Sequence, residues 1–145
     1  MAATLYTPGR TVWRVEPCRR ARVLIDGAAF FAAVREAFLA AERSIFVVGG
    51  DIDSRTELIG DAAPTDGLPT AFGPFLAELV QRKPSLRVHL LLWDYSLLYA
   101  HQREPLPRLA LDWQMPPQVT LCLDATVPFG SSQHQKLVIV DDTLA

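Results

Sequence analysis

The sequence predicts an α/β layered fold, a mostly parallel mixed sheet flanked by helices. Short apolar runs rich in β-branched residues alternate with stretches whose apolar residues recur at helical spacing. Gly, Pro and Asp punctuate the boundaries between them. The chain has 145 residues, 50% of them hydrophobic and 21% charged. One domain of that size buries roughly 70% of its unfolded surface.

Residues 1–20 read as an extended, Arg-rich lead-in, and residues 21–145 as the folded unit. ARVLID, 21–26, has the composition of a short strand. Asp26 offers a helix N-cap, and Phe30, Phe31, Val34, Phe38 and Ala41 then follow on one helical stripe, with Arg35, Glu36, Glu42 and Arg43 on the other face. SIFVVGG, 44–50, is a continuous apolar run closed by glycines and reads as a buried central strand. GDAAPTDGLPT, 60–70, is a turn-rich loop. PFLAELVQRK, 74–83, is a second helix, with Pro74 tolerated in its first turn and Pro84 beyond its end. LRVHLLLWD (86–94), VTLCLDA (119–125) and KLVIVDD (136–142) supply further strands, and 95–113 should be helical in parts. An antiparallel strand is expected near the C-terminal end.

Composition narrows the function. A formal charge of −2 and a pI near 5.9 argue against a general nucleic-acid binder, so no nucleic-acid partner is expected. Cys18 and Cys122 stand far apart, outside any metal-ligand spacing, and read as reduced or buried thiols. No signal peptide and no apolar run of membrane-spanning length is visible, which predicts a soluble chain, cytoplasmic or at the cytoplasmic membrane face. Arg19, Arg20 and Arg22 form a small basic run that reads as a solvated face or as an approach to anionic head groups.

The chemistry concentrates in SSQHQKLVIVDD, 131–142. On a strand, residues two apart share a face, so His134 and Lys136 are expected to project together while Leu137 and Ile139 anchor the strand. An imidazole beside an ammonium makes a poor structural pair. Facing a phosphodiester the pair has a purpose: the imidazole can attack phosphorus, and the lysine can hold the non-bridging oxygens. A lysine before an apolar strand is also a common edge guard. The His-x-Lys-x-x-x-x-Asp spacing of His134, Lys136 and Asp141, however, arises by chance in only about one such chain in a hundred.

HQKLVIVD, 134–141, resembles the HxKxxxxD motif of the phospholipase D superfamily. The upstream LIDGAAFFAAVREAFLAAERSIFVVGGDIDSRTEL is similar to the N-terminal segment of its bacterial phospholipase D-like and cardiolipin-synthase-like branch. The resemblance spans most of residues 12–145. It implies a phosphodiesterase or transphosphatidylase acting on glycerophospholipids through a phosphohistidine, with His134 as nucleophile and Lys136 gripping phosphate oxygens. Asp141 would support local structure. No cofactor and no metal are implied.

Such enzymes join two HxKxxxxD motifs at one site. The other histidines of this chain, His89 and His101, have no Lys two residues on. The resemblance therefore implies the N-terminal half of a two-motif enzyme, inactive alone, whose second half comes from sequence beyond Ala145 or from another subunit. A phospholipid substrate and possible membrane-surface contact follow as expected partners. A nuclease of the same superfamily, or a non-catalytic module retaining a half-site, are the rival readings.

GGDIDSRTE, 49–57, is a second cluster. Asp51 and Asp53 follow the end of a central strand, where α/β folds gather ligands, and are candidate substrate-binding residues or else a solvated turn. Trp93, Asp94 and Tyr95 end another strand and read as edge packing or as a substrate mouth, with Phe129 a further candidate for acyl contact. His89, inside an apolar strand, reads as a buried structural histidine.

Overall fold

The computed structural model describes residues 5–50, 52–93, 115–126, 128, 131 and 133–144. Helix α1 runs Asp26–Ala40 and α2 Phe72–Arg82, with strands β1 Ser44–Gly49, β2 Arg87–Trp93, β3 Val119–Asp124, β4 Leu137–Val140 and β5 Thr143–Leu144. The five strands form one sheet in the order β3-β2-β1-β4-β5. The β1–β2 and β2–β3 pairings are parallel, whereas β4 runs antiparallel to β1 and β5 to β4. The α/β layered class and the antiparallel strand near the C-terminal end are thus as the sequence predicts. Residues 95–113, expected to be partly helical, lie outside the described residues.

Register sorts the core. Ile45 pairs with Val88 and Val140, and Val47 with Leu90 and Val138, so these side chains share one face. All are buried, together with Val34, Phe38, Phe72, Phe75, Leu76, Leu79 and Val80 from the two helices. Both described helices therefore cover the same face of the sheet. The Phe38 and Phe75 rings stack at 6.3 Å and join α1 to α2. The opposite face is far less covered: Phe46 is 41%, Leu91 38% and Leu137 37% exposed. β1 is central as expected, yet only its alternate residues are buried. His89 is not buried either; it stacks on Phe46 with ring centroids 4.6 Å apart.

Three other expectations are corrected. ARVLID is no strand: residues 21–25 are irregular, with Val23 and Ile25 largely exposed. Its β-branched composition meets no sheet edge, and a strand without a partner has nothing to satisfy its backbone. Arg35, expected on the solvent face of α1, is buried. Its Nε and Nη2 donate to Asp66 at 2.8 and 2.6 Å, and its other donors reach the carbonyls of Leu68 and Pro69. The turn-rich loop folds back over α1 and meets the arginine there. Cys18 and Cys122 are free but exposed.

Local chemistry closes the ends of the elements. Asp26 has a φ of 69°, outside the helical range, and its carboxylate accepts from the Ala29 N–H at 3.2 Å. It caps the helix it was expected to cap. At the other end Lys83 Nζ donates to the carbonyls of Leu39 and Ala41, which have no partner within α1. Among the described residues no helix is long and apolar enough to cross a membrane.

Candidate functional site

The motif residues lie around the two ends of β4. At its far end Asp141 accepts three backbone N–H groups, from Glu42 at 2.7 Å, Arg43 at 2.8 Å and Ser44 at 2.8 Å. Its own N–H donates to Ser44 O at 3.0 Å. Asp141 thus fastens the α1–β1 turn to the end of the motif strand. Those N–H donors, Glu42 foremost, hold its carboxyl below the ordinary carboxylate range. Its positive φ of 46° opens the tight turn into β5, a conformation that aspartate tolerates better than most residues.

At the near end, His134 and Lys136 are exposed and precede Leu137, the first paired residue. Sheet pairing therefore does not aim them, contrary to the expectation that both ride on the strand. Gln133 does the positioning instead. Its Nε2 donates to Asp124 Oδ2 at 3.1 Å, tying the approach to β4 onto the end of β3. Its carbonyl lies against Gly50, where an added Cβ would come within 2.5 Å of the oxygen. Asp124 also accepts from the Thr126 N–H and hydroxyl, the hydroxyl first in lowering its pKa. Among the described residues neither His134 nor Lys136 makes a hydrogen bond or ion pair, so both donor sets face solvent.

Lys136 also borders a cavity of about 400 Å³ between α1 and the β1–β4 pair. Phe30, Phe31, Val34, Val47, Ile52 and Phe72 contribute apolar walls, and Asp53 is the other charged residue among the described lining residues. Asp53 is committed elsewhere. It takes Arg55 Nε at 2.8 Å, Nη2 at 2.6 Å and the Arg55 N–H at 2.9 Å. The Arg55 guanidinium in particular lowers its carboxyl pKa. Among the described lining residues, Lys136 is then the charged group without a counter-charge.

Of the residues singled out in the sequence, Lys136 and Asp53 thus line one cavity, His134 is exposed two residues before Lys136 and is not among the cavity's lining residues, and Asp141 serves the opposite strand end. Asp51 lies outside the described residues, as do Asp94, Tyr95, His101 and Phe129. Gln133, Asp124 and Gly50 were missed. The second glycine of GG at a strand end was their one legible signal. Among the described residues no group of three or more His, Cys, Asp or Glu is placed to hold a metal ion. Compared with models of known protein families the chain matches none, and no curated protein matches it.

Proposed function

We propose that the chain carries one half-site of a phospholipase D-type phosphodiesterase or transphosphatidylase acting on glycerophospholipids. One observation carries the reading. Exposed Lys136, with no hydrogen bond or ion pair among the described residues, lines an apolar cavity, and an exposed histidine stands two residues before it. That arrangement suits an anionic phosphodiester bearing an aliphatic substituent. The phosphate would meet Lys136, and the apolar part would rest against the phenylalanines of α1.

In the proposed reaction a nitrogen of His134 attacks phosphorus, and the bond from phosphorus to the head-group oxygen breaks. The leaving oxygen takes its proton from the histidine of a second motif. Water or an alcohol then attacks the phosphohistidine, gives up its proton to that second histidine, and frees His134. Lys136 neutralises the charge that gathers on the non-bridging oxygens. Asp141 touches none of these atoms; it holds the strand that presents them.

The test is to trap the covalent intermediate. The intact protein is mixed with a glycerophospholipid labelled at the phosphodiester phosphorus, quenched and digested. Base-stable, acid-labile label on the peptide containing residue 134, absent in His134→Ala, is the expected result. No label at that peptide under turnover would sink the phosphohistidine. Label donated by single-stranded DNA in preference to phospholipid would move the substrate to nucleic acid.

A further inference from the structure

The described part of the lead-in and the irregular residues that follow it, 5–25, are unlike the rest of the chain in charge and exposure. They hold five arginines, Arg10, Arg14, Arg19, Arg20 and Arg22, against the single acid Glu16, a charge of +4. The remainder then holds nine cationic and fifteen acidic side chains, a charge of −6, which gives the −2 of the whole. Interleaved with the arginines are Leu5, Tyr6, Trp13, Val15, Val23 and Ile25, all between 55% and 88% exposed. Arg14 is engaged locally, over the Trp13 ring at 4.8 Å and with Glu16 at 2.8 Å. Arg10, Arg19, Arg20 and Arg22 are exposed and make no ion pair among the described residues.

We infer that this segment is a membrane-surface contact that docks the protein on anionic lipid. Arginines reach lipid phosphates while an exposed indole and aliphatic side chains enter the head-group boundary. The mixture selects the occupant. A nucleic acid would use the arginines and Trp13 but leaves Val15, Val23 and Ile25 in water, whereas a bilayer takes up both kinds of group. Hydrated backbone is tolerated at the head-group level, so the segment needs no helix to lie there. The acidic body is repelled by the same leaflet within a Debye length of about 8 Å. Binding through this segment therefore orients the molecule as well as holding it. This holds whether or not His134 reacts with phosphorus.

Vesicle flotation tests it, because bound protein rises with lipid while aggregates sink. The intact protein is offered vesicles of phosphatidylcholine alone or with phosphatidylserine, and His134→Ala is run alongside. We expect flotation only with the anionic vesicles, weakened by salt and unchanged in His134→Ala. Each basic residue near an anionic leaflet strengthens binding about fivefold. The triple variant R19S/R20S/R22S should thus bind on the order of a hundredfold more weakly, with the lysine triple at the same positions close to wild type. Trp13→Ser should weaken binding further. Circular dichroism of each variant checks that the fold persists. Equal flotation on neutral vesicles, no loss in the serine triple, or tighter binding to a single-stranded oligonucleotide than to anionic vesicles would overturn the inference.

Discussion

The carbonyl oxygen of Gln133 lies so close to Gly50 that a single methyl group on that glycine would sit 2.5 Å from it. The obstructing atom is backbone, so it cannot turn aside as a side chain would. Gly50→Ala should push out the segment that ends in His134, costing about 1–3 kcal/mol of stability through overpacking. The effect on chemistry should be larger than the effect on folding: histidine labelling is expected to fall at least tenfold at temperatures where the variant is still folded. Labelling at the wild-type rate would show that the position of this carbonyl does not matter to the site.

Asp141 predicts the opposite balance. It bonds three N–H groups, whereas His134 bonds nothing among the described residues. Asp141→Ala should therefore lower Tm more than His134→Ala does, although only the second removes the proposed nucleophile. Because the carboxyl is held below its ordinary range, its stabilisation is present above the usual carboxylate pKa and fades as pH falls beneath it. An acid melt of Asp141→Asn should lack that contribution. Equal melting of Asp141→Ala and wild type would remove the structural role.

The Arg35–Asp66 pair gives a second acid signature. The guanidinium holds Asp66 at about 2, down from 3.8. Its stabilisation should be full above pH 3.8 and lost as pH falls through about 2. Asp66→Ala strands a guanidinium that is only 5% exposed, at a cost of about 3 kcal/mol. Thermal melts at neutral pH measure that cost. Replacing both partners with apolar residues of similar volume should recover much of it.

Lys136 leads to a kinetic prediction. If a lysine rather than a divalent ion neutralises the phosphate, Lys136→Ala should cut turnover by roughly a hundred- to a thousandfold, with Lys136→Arg retaining more. Turnover should also survive treatment with EDTA. Activity lost on chelation and restored by zinc or magnesium would point to a metal-assisted hydrolase.

Much of this architecture was legible in the residues. The sequence reading found both helices and four strands because their apolar runs are long and their ends carry Asp, Gly and Pro. It lost ARVLID because a β-rich composition says nothing of whether a partner edge is within reach. Arg35 was misplaced for a similar reason: periodicity puts it off the core stripe of α1, and only the distant loop holding Asp66 makes burial tolerable. At the candidate site, spacing grouped His134, Lys136 and Asp141 together. It could not show that Asp141 faces away toward the α1–β1 turn, nor that Gln133 and Gly50 hold the approach. Those are contacts between segments far apart in the chain, and no local pattern encodes them.

The clasp between Ser44 and Asp141 joins residues 97 apart in the chain. During synthesis, α1, β1, α2 and β2 can leave the ribosome and pair through the shorter crossover while the motif strand is still being translated. The β1 edge that later receives β4 must wait, unpaired and apolar, until nearly the whole stretch has emerged. Closing so long a loop is slow compared with local helix formation. The histidine and lysine would then reach their places only after α1, β1, α2 and β2 have paired, and a newly made chain would pass through a stage in which that layer is built without the motif strand. Its exposed strand edge would be most open to mispairing with a neighbouring chain at that stage.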